Sequence, residues 1–151
     1  MNRTQIEALI PHAGSMCLLE QVVSWNAVRI ECIARSQRAS DNPLRADNKL
    51  SSICGIEYAA QAMAVHGALC SRAGSASRAP GFLASARDVR LACWRLDDLP
   101  PASCDELVLT SERQAADATR ILCSFRLHHA GRELASGRVA VVLDATLAAA
   151  P

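Results

Sequence analysis

The chain has 151 residues, half of them hydrophobic, with 16 Lys and Arg against 15 Asp and Glu. That length suits one domain over 1–151 and a sizeable core, and the apolar content excludes a disordered chain. A net charge of +1 excludes the bulk basic character of a typical nucleic-acid binder.

Thr4 to Ile10 reads as a short helix capped by Thr4, with Glu7 at the capping-box position and Pro11 at its end. Met16 to Trp25, rich in Leu and Val, reads as a strand, and Asn26-Ala27 as a turn. From Val28 to Ala34 apolar residues alternate with mostly charged ones, the pattern of a half-buried strand. Residues 36 to 49 are polar, with Asp41-Asn42-Pro43 as a loop signal. The long helix is predicted from about Ile53 to Cys70, with Ser51 and Ser52 available as caps. Gly74 follows it, in a loop that reaches Pro80-Gly81. Four further strands are predicted: Phe82 to Leu91, Glu106 to Gln114, Arg120 to His128 and Glu133 to Leu143. Ala130-Gly131 is short enough to make the last two an antiparallel hairpin, with His128 and His129 solvated beside its turn.

One long helix among mostly antiparallel strands gives an α+β domain. Apart from Glu57, Gln61 and His66 the helix is apolar on every side, so it must be buried all round. A sheet curled around a single helix meets that demand, and its open face calls for a second subunit. This is the hotdog arrangement, expected as a homodimer.

The seven cysteines are odd in number and lie singly in apolar stretches with no CxxC pair. They read as core residues of a protein in a reducing compartment, and we expect a cytoplasmic location with no metal site. The N-terminal residues lack the apolar run of a signal peptide. The longest apolar stretch is broken by Glu57, Gln61 and His66, so no membrane span is expected.

Glu57 is the most informative residue. A carboxyl group among Ile, Ala, Met and Val is costly to ionise, which suits a general acid. The alternative is a carboxylate paired with an arginine or capping its own helix. Gln61, one turn on, shares its face and could orient the Glu57 carboxyl or bond a strand carbonyl. Backbone N–H groups from Ser52 to Gly55 are expected to be free at the helix start and could hold a thioester carbonyl. Gly55 either leaves room for substrate or packs closely against a strand. His12, on the tight loop Pro11-His12-Ala13-Gly14, is the leading base candidate, with a simple surface histidine as the alternative. His66 falls on the opposite side of the helix and reads as a packing residue.

These segments resemble the beta-hydroxyacyl-acyl carrier protein dehydratases of fatty acid synthesis. Pro11-His12-Ala13-Gly14, followed by the Leu18-Leu19-Glu20 strand, is similar to the family's opening Pro-His. Gly55-Ile56-Glu57-Tyr58-Ala59-Ala60-Gln61 is similar to the helix in which a catalytic acid stands four residues before Gln. Pro80-Gly81-Phe82-Leu83 resembles the strand that follows, which places Gly81 and Phe82 with the substrate. The similarity runs in order over about residues 8 to 143. The best-known members carry a catalytic His in a Gly-His-Phe-Pro segment before the helix. Here residues 42 to 50 contain no His, and Ser51-Ser52 replaces the Pro-Gly of the helix start. In both respects the chain resembles the divergent dehydratase branch of aryl polyene biosynthesis.

The resemblance implies dehydration of a 3-hydroxyacyl thioester on acyl carrier protein, with catalytic His12 and Glu57, substrate-binding Ser52, Gly55, Gln61, Gly81 and Phe82, and no cofactor. It also implies an acidic carrier partner, for which Arg72, Arg78, Arg87 and Arg132 form a candidate cationic rim. Two other readings use the same fold. An acyl thioesterase would rely on Glu57 with Gln61 and dispense with His12. A non-catalytic subunit would bind the carrier with a degenerate pocket.

Overall fold

The computed structural model describes residues 1–73, 81–117 and 119–143. The first helix, α1 (Arg3–Glu7), is capped by Asn2 rather than Thr4. Asn2 Oδ1 accepts from the Gln5 N–H at 3.1 Å, and Gln5 Oε1 accepts from the Asn2 N–H at 3.0 Å. This reciprocal pair is a capping box with Gln in place of the expected Glu7. Glu7 instead accepts from the Gly14 N–H at 3.2 Å and fixes the His12 loop against α1.

Strand β1 (Gln21–Trp25) is shorter than the Met16–Trp25 strand expected from the sequence. A 3-10 turn occupies Gly14–Met16, and Cys17, Leu18 and Leu19 are buried without joining the ladder. The cause is visible at Leu18, whose N–H is bonded to a helix side chain instead of a strand. Asn26 turns the chain into β2 (Arg29–Ala34): its Oδ1 accepts from the N–H groups of Val28 and Arg29, both at 2.8 Å.

The long helix α2 (Gly55–Ala73) follows a 3-10 turn over Ser52–Cys54. Neither serine caps it in the way expected: Ser51 makes no side-chain cap bond, and the Ser52 N–H donates to Trp94 O at 3.0 Å. Gly74 and Pro80 lie outside the described residues. The remaining strands are β3 (Gly81–Leu91), β4 (Leu107–Ala116), β5 (Arg120–His129) and β6 (Arg132–Leu143). Ala130 and Gly131 both have positive φ, 49° and 77°, the signature of a two-residue type I′ hairpin turn.

The six strands form one antiparallel sheet in the order β1-β2-β4-β5-β6-β3. Its inner face holds α2. A Cβ placed on Gly55 would lie 3.0 Å from Leu127 Cδ2 and 3.8 Å from the Ala135 Cβ, so β5 and β6 touch the helix at its first residue. Strand alternation then puts Val139 on the inner face and Arg138, Ala140 and Val142 on the outer one. Tyr58, Ala59, Ala62 and Val65 of α2 are buried with Ile30, Cys32, Leu109, Phe125 and Leu127 of the sheet. Over residues 55–71 of α2 only Ala64 is exposed. A curved sheet around one helix is the hotdog fold that the apolar helix requires.

Histidine placement differs from the sequence reading. Both histidines of the hairpin are expected to be solvated, but His128 is half-buried and His129 is buried, with Nδ1 3.1 Å from Glu106 O and Nε2 3.1 Å from Pro100 O. Its strand faces it inward, under the segment that links β3 to β4. His66 is buried and bonded to Asn26 O at 2.7 Å, a contact that holds the β1–β2 turn against α2. No helix among the described residues is long and apolar enough to cross a membrane.

Candidate active site

Three side chains meet beside the first two turns of α2. Glu57 and Gln61, four residues apart, share one face of the helix. His12 comes from the loop before the 3-10 turn, held by Glu7 to Gly14 and by Arg3 to Gly14 O at 2.6 Å. His12 Nε2 stands 3.5 Å from Glu57 Oε1 within one chain.

Gln61 is buried, with its carbonyl oxygen and both amide hydrogens bonded. Its Oε1 accepts from the Leu18 N–H at 2.8 Å. Its Nε2 donates to Met16 O at 2.9 Å and to Glu57 Oε1 at 3.1 Å. The Leu18 N–H can only be met by an oxygen, so the NH2 group must face Glu57. The side chain therefore ties the catalytic candidate to the segment that carries His12.

Burial of Glu57 is less than its apolar neighbours suggest. Its side chain is 34% exposed and that of His12 is 27% exposed. This corrects the expectation of a carboxyl enclosed among aliphatic residues. Glu57 sits on the side of α2 that looks away from the sheet, so within one chain it opens outward. The pair is accessible to a small reactant, while Gln61 behind it is not.

The helix start also differs from expectation. Backbone donors there are engaged: Ser52 N–H to Trp94 O, Cys54 N–H to Ser51 O at 3.0 Å, and Gly55 N–H to Ser52 O within the 3-10 turn. A row of free N–H groups from Ser52 to Gly55 is therefore not present. Gly55 is buried, and its missing side chain faces Leu127 and Ala135. That is close packing on the sheet. Gly81 opens β3 opposite Leu143, and Phe82 pairs with Val142, which places Phe82 on the outer face of the sheet. Within one chain neither is brought to Glu57.

Of the candidate cationic rim, Arg78 and the Arg72 side chain lie outside the described residues. Arg87 is exposed on the outer face of β3, opposite Arg138. Arg132 is exposed and donates to Ala92 O at 3.1 Å.

A polar cluster near the site has no counterpart in the sequence reading. Tyr58, next to Glu57 but facing inward, is fully buried, with its hydroxyl 2.9 Å from Ser36 Oγ and 3.0 Å from Asn42 Nδ2. Ser36 Oγ also donates to Leu18 O at 2.9 Å. Leu18 is thus held at its N–H by Gln61 and at its carbonyl by Ser36. Burial pushes the Tyr58 hydroxyl pKa up, so this network is neutral. Only the polar composition of residues 36–49 hinted at it. Among the described residues no group of three or more His, Cys, Asp or Glu is placed to hold a metal ion.

Comparison with known proteins bears on the family and the fold. A family model described as ApeP-like, ApeP dehydratase, matches residues 4–150. A solved structure described as the dehydratase heterocomplex ApeI:P from Xenorhabdus doucetiae is 23% identical, with a TM-score of 0.79, over 94% of this chain and 92% of that one. A mutant thioesterase from Pseudomonas aeruginosa is 10% identical, with a TM-score of 0.62, over 95% and 94%. Thioesterase superfamily member 2 from Mus musculus is 16% identical, with a TM-score of 0.60, over 94% of each chain. These three share the hotdog fold. Comparison with curated proteins finds no significant match.

Proposed function

The chain belongs to the ApeP-like dehydratase family, and from that premise we propose that it removes water from 3-hydroxyacyl groups carried as thioesters on acyl carrier protein. The observation that carries this reading is the contact of His12 Nε2 with Glu57 Oε1 at 3.5 Å. Dehydration needs a base at Cα and an acid at the β-hydroxyl, one carbon apart, and two such groups side by side meet that need.

His12 takes the Cα proton. The electron pair left on Cα forms the Cα–Cβ double bond, the Cβ–O bond breaks, and Glu57 gives its proton to the departing hydroxyl. The products are a trans-2-enoyl thioester and water. The step leaves His12 protonated and Glu57 ionised, so each turnover must return a proton from one to the other. Their direct contact supplies that path without a solvent relay. His12 Nδ1 is buried with no partner among the described residues. Burial closes Nδ1 to substrate, so Nε2 is the nitrogen that works, and for its lone pair to take the Cα proton the neutral ring carries its own proton on Nδ1. Gln61 keeps Glu57 Oε1 turned toward His12 and leaves Oε2 for the substrate.

The use of Gly81 and the second subunit belong to the same reading. The free edge of β3 beyond β6 supports pairing with a second hotdog chain. Such pairing would bring the partner's β3, with its Gly81 position, near a site that it does not reach within one chain, while Phe82 stays on the outer face. The Xenorhabdus neighbour is described as a heterocomplex, which supports a non-identical partner as readily as a second copy.

The test uses 3-hydroxyacyl substrates on carrier protein and separates products by mass. A mass loss of one water supports the dehydratase. Release of free acid supports the thioesterase, in which Glu57 acts without His12. No turnover, alone or with the co-expressed partner, supports the carrier-binding subunit.

A further inference from the structure

The face of the sheet turned away from α2 is not neutral. Arg120 and Arg126 of β5, Arg138 of β6, and Arg87 and Arg90 of β3 all lie on it, as the pairings Arg87 with Arg138, Arg90 with Ser136, Arg126 with Ser136 and Arg120 with Val142 require. All five are exposed. Asp88 binds Arg138 at 2.8 Å, and Glu133 accepts from Ser136 at 2.8 Å. Arg87 and Arg120 have no ion-pair partner among the described residues, so guanidinium groups outnumber carboxylates here in a chain whose net charge is only +1. The other half of the same face is balanced: Arg29 on β2 pairs with Glu31 and lies opposite Glu112.

Between these arginines runs a groove of about 450 Å³ lined by Ala84, Arg87, Arg120, Leu122, Arg138 and Val142. Leu122 and Val142 form an apolar floor, which Phe82, 51% exposed and paired with Val142, continues toward the edge. We propose that this groove docks an acidic amphipathic helix of a partner protein. An apolar stripe flanked by cations matches a helix whose apolar stripe is flanked by carboxylates. Arginine suits carboxylates through its bidentate fork. Duplex nucleic acid would meet the same charges but leave the apolar floor unmatched, and the flat headgroup surface of an anionic bilayer does not fill a groove. The proposal does not depend on the reaction above, because the groove lies across the sheet from His12 and Glu57.

The probe is a fluorescein-labelled helical peptide of about five turns, with Glu flanking a Leu stripe, titrated with the full chain and followed by anisotropy. We expect binding that weakens with salt, because the charges are exposed. The double variant Arg87→Glu, Arg120→Glu should bind about tenfold more weakly, from lost pairs and new repulsion. Arg29→Glu, on the balanced half, should bind as the wild type does. The same variants as Gln keep the fold readout independent of charge reversal. Four results overturn the proposal. These are no peptide binding by the wild type at low salt, equal binding by the double variant, tighter binding of duplex DNA or phosphatidylglycerol vesicles than of the peptide, and a change in sedimentation of the double variant that marks the face as a contact between copies.

Discussion

The Glu57 site and the Asp97 cluster are both carboxylates near the start of α2, and they are built in opposite ways. Asp97 is 5% exposed and saturated. Its Oδ1 accepts from the Leu50 N–H at 3.1 Å and Arg95 Nε at 3.0 Å, and its Oδ2 from Arg45 at 3.0 Å and Arg95 at 2.8 Å. The Arg95 bonds first, then the Leu50 N–H and Arg45, hold its carboxyl well below the usual carboxylate range. Glu57 has one good donor, Gln61, a loose histidine contact, and an Oε2 with no hydrogen-bond partner among the described residues. A carboxylate whose lone pairs are all filled holds segments together. One left partly open has capacity for a reactant. The difference separates a clamp from a candidate acid in the same molecule.

Breaking each side of that comparison should give different readouts. Glu57→Gln keeps shape and removes the titratable proton. Dehydration should fall by roughly 10²–10⁴-fold with the melting temperature unchanged, since a neutral amide is easily accommodated there. His12→Ala should cost a similar factor, and the double variant little more, because the two act as one unit. Additive losses in the double variant would separate their roles. A loss confined to the Glu57 variants would favour hydrolysis.

Asp97→Ala should do the reverse. Activity per folded molecule should hold, while stability falls by about 1–3 kcal/mol, the cost of taking the carboxylate away from the Leu50 N–H and from Arg95 and the half-buried Arg45. The sign with pH follows from the lowered pKa. The stabilisation is present above the unfolded carboxylate value of about 3.9 and is lost as pH falls toward the folded value. Thermal melts of wild type and Asp97→Asn from neutral to acid pH should therefore begin to approach each other below about pH 4 and meet only well below it. Curves that stay parallel would show that the clamp is not electrostatic.

Gln61→Leu stands between the two. It strips the Leu18 N–H and Met16 O of their partner in a buried place, which costs about 1–3 kcal/mol, and it also frees Glu57 to rotate. Stability and turnover should both fall, turnover by less than in Glu57→Gln. Unchanged turnover would mean that Gln61 serves only the fold.

Much of the sheet was legible because period-2 alternation is local: β3, β5 and β6 begin and end within a residue or two of the expected positions. The burial of α2 was legible because an apolar surface all round a helix leaves no other choice. What escaped were long-range bonds. The withdrawal of Met16–Glu20 from β1 depends on Gln61, 43 residues from Leu18. The engaged donors at the helix start depend on Trp94. The site was legible in its residue types, since His12, Glu57 and Gln61 do meet, but the exposure of Glu57 follows from which side of α2 the sheet covers. The arginine face was present as alternation in Arg120-Ile121-Leu122-Cys123-Ser124-Phe125-Arg126, yet only the register to β6 and β3 gathers the five side chains.

Gly55 offers the smallest expected effect and sharpens the comparison at its boundary. The sequence leaves two roles open, room for a substrate or close packing on a strand, and the geometry supports the second. A Cβ there meets Leu127 Cδ2 at 3.0 Å, tight enough that the leucine must shift by a few tenths of an ångström. Gly55 has helical backbone angles, φ −55° and ψ −24°, so alanine brings no backbone strain. It brings a helix-propensity gain of about 0.5–1 kcal/mol. Against this stands an overpacking cost of about 1–3 kcal/mol, with the low end expected because the close contact is to the end of one leucine side chain and not to backbone. Gly55→Ala should therefore lower stability by about 1 kcal/mol or less, a fall of a few degrees in melting temperature. KM for the thioester should not change, since the new methyl points at the sheet. A raised KM with an unchanged melting temperature would reverse the assignment and put the acyl chain between α2 and β5.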